Sequence, residues 1–256
     1  MVTMDARRRH MVYNEPRRSA LVVITAILVL VAGCSSGNSS GLAGTAASSG
    51  APGSSTPVRP VPHLALPAGT YTSEVFKTPL TYTVPAGWKM FEDEPGQFGL
   101  ALVANDGPCV CVWRDVAVAA KSCAESPEPG VGRSAKEITA ALAAREGLVT
   151  SKPKAVTVGG LNGYLIDIKM DPTWKGTCSF SSDGASVPLL VGTGLSTGVF
   201  WGSAADSSQR EYVLDLGPKA PDGNIAINVE ICCGVVRDER IAAVTPVVES
   251  FAFKTS

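Results

Sequence analysis

Read for its apolar and polar positions, the chain falls into three stretches. Ala20 to Ala32 (ALVVITAILVLVA) is an unbroken apolar run. Ser35 to about Pro67 shows neither a helical nor a strand period and is built almost wholly of Ser, Gly, Ala, Thr and Pro. From about Gly69 short alternating runs set in: Thr70 to Phe76, Leu80 to Val84, Phe98 to Val103 and Cys109 to Val118. Their period of two, and the punctuation at Pro85-Ala86-Gly87, Pro95-Gly96 and Asp106-Gly107-Pro108, predict strands.

The pattern then switches to a period near 3.6. Ala135 to Glu146 (AKEITAALAARE) reads as a helix, with Ser134 and Glu137 as an S-x-x-E capping box, Ile138 and Leu142 on one stripe, and Gly147 as the stop. Strands resume at Ala155 to Val158 and Tyr164 to Lys169, a hairpin whose turn runs through Gly159-Gly160 and Leu161-Asn162-Gly163. They continue at Val187 to Val191, Glu211 to Leu216 and Asn224 to Ile231, the last alternating cleanly through Ile225, Ile227, Val229 and Ile231. A second helical stretch, about Asp238 to Ser250, contains Pro246 and is expected to kink or restart there. Phe251-Ala252-Phe253 closes the chain as one more strand. A helix with a single apolar stripe must lie on something, and the sheet is the nearest surface, so the expected fold class is α+β: an antiparallel sheet flanked by helices.

The first apolar run follows Arg7, Arg8, Arg9, Arg17 and Arg18 and ends at Gly33-Cys34. That is the plan of a secretory signal peptide. Thirteen apolar residues make about 20 Å of helix, short of a hydrocarbon core of roughly 30 Å. Val31-Ala32-Gly33-Cys34 resembles the bacterial lipobox. Small residues there give a peptidase access to the backbone, and the Cys34 thiol is the one group able to become the thioether carrying a lipid. The expected organisation is a lipoprotein signal peptide over 1–33, a lipidated Cys34 with its tether over 34–67, and a globular α+β domain over 68–256. A flexible tether of this length has an end-to-end distance of roughly 30 Å, enough to hold the domain clear of lipid headgroups. Removing 1–33 leaves 17 basic against 21 acidic side chains. With no basic block, nucleic acid is not an expected partner. The expected partners are a membrane, through the anchor, and an envelope ligand or protein. The expected location is the extracytoplasmic face of the cell membrane.

LTYTVPAGW (Leu80 to Trp88), VTVGGLNGYLIDI (Val156 to Ile168), EYVLDL (Glu211 to Leu216) and ESFAF (Glu249 to Phe253) resemble secreted actinobacterial lipoproteins of unknown function. The P-x-G-W turn and the closing S-F-x-F are similar to the Mog/PsbP-like fold, an antiparallel sheet between helices. The resemblance implies a fold and no activity. On physical grounds Pro85 ends a strand, and Trp88 is delivered to one face as a core anchor.

Besides Cys34 there are six cysteines: Cys109, Cys111, Cys123, Cys178, Cys232 and Cys233. An even number in an exported domain predicts three disulfides. Cys232 and Cys233 point opposite ways and need different partners, while Cys109 and Cys111 share a face. The alternative is an extracytoplasmic metal-handling protein, with C-x-C and C-C converging as thiolates for copper or zinc. No cofactor is expected.

Candidate chemistry is thin. Gly194-Leu195-Ser196-Thr197-Gly198 matches the G-x-S-x-G of serine hydrolases, yet no histidine follows Ser196; the two in the chain are His10 and His63. Glu92, Asp93 and Glu94 read as a solvated acidic turn. No catalytic or metal-ligating residue is assigned, and the domain is expected to bind rather than catalyse. Trp174, Phe180, Phe200 and Trp201 stand in Gly/Ser-rich segments, either capping the core or forming a candidate binding surface.

Overall fold

The computed structural model describes residues 63–103, 109–181, 184–204, 207–218, 220, 223–231 and 237–255. Cys34, Cys232 and Cys233 lie outside them. The chain begins with β1 (Ala65–Leu66), β2 (Gly69–Ser73), β3 (Leu80–Val84), β4 (Trp88–Glu94) and β5 (Gln97–Leu102). After β6 (Cys109–Arg114) and β7 (Val116–Val118) comes helix α1 (Ala135–Ala143). Next are β8 (Leu148–Thr150), β9 (Lys154–Val158), β10 (Leu161–Met170), β11 (Ser186–Gly192) and β12 (Phe200–Ala204). The described residues end through β13 (Ser208–Asp215), β14 (Asn224–Ile231), α2 (Arg237–Glu249) and β15 (Ala252–Phe253).

A nine-stranded sheet runs β1-β4-β5-β6-β14-β13-β10-β8, with β9 also on β10. Two three-stranded sheets, β12-β11-β7 and β15-β3-β2, accompany it. The strand pairs are antiparallel. The fold is α+β, weighted towards sheet.

Two large cores follow from strand alternation, beside a small cluster of Ala117, Ala119 and Val191. Tyr82, Trp88, Phe98, Leu100, Val110, Val112, Leu214, Ile225 and Ile227 join Val244, Val247 and Val248 of α2 in one. Trp113, Ile166, Ile168, Val213 and Ala226 join Ile138 and Leu142 of α1 and Val187, Leu189 and Leu190 of β11 in the other. The nine-stranded sheet is thus covered on both faces, one helix to each. Trp88 is 2% exposed, the core anchor expected of P-x-G-W. The capping box of α1 is formed, Ser134 accepting from the Glu137 N–H and Glu137 from the Ser134 N–H. Gly159 and Gly160, both at positive φ, make the two-residue turn between β9 and β10.

Four expectations change. Glu92, Asp93 and Glu94 belong to strand β4 rather than to an acidic turn, because they pair with Gln97 to Gly99 of β5; Asp93 also accepts from the Ser73 hydroxyl (2.5 Å) and the Phe76 N–H (3.2 Å). Cys109 to Val118 is two strands in two sheets, parted at Asp115, whose φ is +59°. Pro246 does not break α2: the helix continues to Glu249, and the Thr245 hydroxyl donates to the Ile241 carbonyl at 2.6 Å just before it. Ala65–Leu66, placed in the tether by composition, pairs with β4 and buries Leu66.

Candidate functional site

Strands β6, β13 and β14 lie side by side at the middle of the large sheet, and one of their faces is polar where a core would be apolar. Register sets Asn228 between Glu211 and Cys111, and Glu230 between Gln209 and Cys109. Alternation sends these side chains to the α1 and β11 side, beyond the apolar set Trp113, Val213 and Ala226. Gln209, Glu211 and Asn228 are fully buried and Cys111 nearly so. Cys109 and Glu230 are partly exposed at the edge of the layer.

The layer is tied together by amides. The Asn228 side-chain amide donates to Glu211 Oε1 and, at 3.4 Å, to Gln209 Oε1; the Gln209 amide donates to the Gly202 carbonyl of β12 at 3.1 Å. Cys109 Sγ donates to Glu230 Oε2 at 3.5 Å. Three buried polar atoms there lack a protein partner: Glu211 Oε2, Asn228 Oδ1 and Trp201 Nε1. Burial pushes the Glu211 carboxyl up to about 8, with the Asn228 bond pulling against it and Glu230 adding to it. Burial also raises Glu230, opposed by the Cys109 thiol. The Cys111 thiol is raised well above its ordinary value, first by its bond with Cys109 and then by burial. Burial thus favours the neutral form of each, and a thiol raised in this way is unsuited to act as a nucleophile.

The four aromatic residues singled out in the sequence surround this layer's cover. Trp201 packs on Trp113 with ring centroids 5.2 Å apart, and Phe180 meets Phe200 edge-on at 5.2 Å. The Trp174 indole donates to the Ser186 carbonyl at 3.0 Å, where β11 begins. All four are partly buried, each with an edge towards solvent. Phe200 and Trp201 stand on strand β12, not in a loop, because β12 pairs with β11 through Leu190 to Trp201 and Val191 to Phe200.

Of the expected disulfides, Cys123–Cys178 is formed. It ties the loop after β7 to the segment before β11. Among the described residues Cys109 and Cys111 carry free thiols: both sit on β6 facing the polar layer, with Cys109 turned to Glu230, while Cys232 and Cys233, two of the cysteines expected to bridge, lie outside the described residues. Among the described residues no group of three or more His, Cys, Asp or Glu is placed to hold a metal ion. Ser196 is fully buried, and its hydroxyl donates to the Gly96 carbonyl at 2.6 Å. A Cβ at Gly96 would stand 2.2 Å from the Leu195 carbonyl oxygen, so the G-x-S-x-G segment is clamped onto the β4–β5 turn as structure.

Comparison with known proteins gives little beyond this geometry. No family model and no curated protein matches the chain. LpqN, described as involved in cell envelope biogenesis of Mycobacterium tuberculosis, is similar at a TM-score of 0.40 and 13% identity, over 76% of this chain and 89% of that one. A crystal structure from Bacteroides thetaiotaomicron VPI-5482 is similar at a TM-score of 0.32 and 9% identity, over 68% of this chain. The chain spans 45% of that protein's length.

The polar layer escaped the sequence reading. Its signal was present in Gln209, Glu211, Asn228 and Glu230, polar residues alternating with apolar ones. In an antiparallel strand such positions normally face water. Here the second face is covered as well.

Proposed function

We propose that this chain is an extracytoplasmic lipoprotein, joined through Cys34 to lipid in the cell membrane, whose domain binds an envelope ligand or partner without covalent chemistry. The observation that carries the reading is the order of features at the start of the chain: basic flank, short apolar run, Val31-Ala32-Gly33 and then Cys34. The Ser/Gly/Ala/Pro-rich stretch to Pro67 supplies the tether. No helix among the described residues is long and apolar enough to cross a membrane. The reading of the domain as Mog/PsbP-like draws on the P-x-G-W turn, the S-F-x-F close and a sheet with a helix on each face.

Trp174, Phe180, Phe200 and Trp201 supply the candidate binding surface, since aromatic edges standing beside polar groups offer both contact area and hydrogen bonds. The test has two arms. Cys34→Ser is expected to abolish the mass of the lipid chains and move the protein from the detergent phase to the aqueous phase; unchanged partitioning overturns the anchor. Native mass spectrometry of the full-length protein from its own membranes is expected to show a copurified ligand that Phe200→Ala reduces; equal retention by the variant overturns the binding surface.

The free thiols of Cys109 and Cys111 on one face favour a second reading, soft-metal handling, in which Cys232 and Cys233 would complete the ligand set. Copper or zinc retained by the purified protein and lost in Cys109→Ser would select it.

A further inference from the structure

We propose that Glu211 and Asn228 form a proton-bearing acid–amide clasp between β13 and β14, un-ionised at neutral pH, that stabilises the domain in acid and loosens it as the medium turns alkaline. This goes beyond the proposed binding function and does not depend on it. The two residues face each other in register and both are fully buried. The Asn228 amide donates to Glu211 Oε1, while Glu211 Oε2 and Asn228 Oδ1 both lack a partner. With the acid ionised, these two atoms are acceptors and neither can satisfy the other. A single proton on Oε2 supplies a donor, and a planar carboxylic acid and a planar amide can then exchange two hydrogen bonds. Two unsatisfied buried atoms are thus explained by one missing hydrogen, at a place where leaving them bare is costly.

Beyond the Asn228 amide, the surroundings offer the ionised form no help. On β14 the nearest acid is Glu230, on β6 stand the thiols of Cys109 and Cys111, and on β10 the residue opposite Glu211 is Ile166. Across the layer β12 brings the Gly202 carbonyl and the Trp201 indole. Arg145, just after α1, is engaged elsewhere: it donates to the Ala119 carbonyl at 2.6 Å and interacts with Glu128. No cation acts on Glu211 among the described residues. Burial accordingly lifts its carboxyl from 4.5 to about 8. In the unfolded chain the group ionises near its ordinary value, whereas in the folded protein it keeps its proton. The contribution to stability is therefore complete below about pH 4.5, declines as pH rises from there to about 8, and is level above that.

Glu211→Gln is the direct test, because the Gln amide places a permanent donor where the acid needs a proton. Melting temperatures of the full-length protein and the variant, measured in detergent across this window, are expected to coincide at its acidic end. The gap should widen to several degrees in the variant's favour at its alkaline end. A gap that stays constant with pH overturns the proposal. Should the variant fail to fold, carboxyl carbon NMR of the glutamate-labelled wild-type protein decides. An assigned Glu211 resonance that keeps its protonated position at pH 7 supports the clasp, and one that titrates with the exposed glutamates removes it.

Discussion

The two faces of the nine-stranded sheet are made by the same strands and carry opposite chemistry. On the α2 side, β6, β13 and β14 present Val110, Val112, Leu214, Ile225, Ile227 and Val229, joined by Tyr82, Trp88 and Phe98. On the α1 side the same strands present Trp113, Val213 and Ala226 at one end and the Gln209–Glu211–Asn228 layer with Cys111 at the other. One face is held by burial alone, which is large and indifferent to direction. The other combines burial with hydrogen bonds that must be complete, and at three atoms they are not complete within the protein. Stability is expected to reside mainly in the first face, and sensitivity to the medium in the second.

That division can be broken by experiment. The largest expected effect is on the apolar face: Phe98, fully buried against Tyr82, should cost about 3–5 kcal/mol when changed to Ala, independently of pH. A loss below about 1 kcal/mol in urea unfolding would show that this core relaxes around the cavity and does not dominate. Next comes the staple over the second face. Cys123→Ser opens a bridge spanning 55 residues and should lower stability by about 2–4 kcal/mol, an effect reproduced in the wild type by reductant. Indifference to reductant would mean that the β11–β12 cover is held by packing alone.

Smaller again is Asn228→Ala. It removes the donor on Glu211 Oε1 and should cost about 1–3 kcal/mol at acidic pH, where both bonds of the clasp are made. A loss below about 0.5 kcal/mol at acidic pH would show that the acid and the amide do not exchange two bonds. The smallest effect is local: Ser134→Ala deletes the cap of α1 and should cost about 1 kcal/mol, visible as fraying in amide hydrogen exchange confined to the first turn. Exchange spreading into β10 and β13 would show instead that α1 and the polar face open as one unit.

Local signals were read correctly where they act locally. The S-x-x-E box at Ser134 and Glu137 predicts the start of α1, the Gly159-Gly160 pair predicts the hairpin, and Pro85 to Trp88 predicts a turn delivering an anchor to the core. The failures share one cause. Glu92 to Glu94 and Phe200 to Ala204 are strands against their composition, since antiparallel partners, Gln97 to Gly99 across a two-residue turn for one and Ser186 to Val191 for the other, supply the ladder bonds. Pro246 sits inside α2 because Val244, Val247 and Val248 bury that segment in the first core. Of the candidate site, the aromatic residues and Cys109 and Cys111 were visible by type. Glu211 and Asn228 were not, because an alternating strand does not say whether its second face meets water or another layer.

Alternation, turns and caps fixed which segments pair locally and which face of each strand is apolar. Those properties depend on neighbours a few residues away, and the chain carries them in its order. The covering of both faces by two small sheets and two helices arises only when distant segments meet. So do the choice of Cys178 as the partner of Cys123 and the enclosure of an acid beside an amide. Desolvation is a property of the assembled layers, and it turns an unremarked glutamate into a group that keeps its proton.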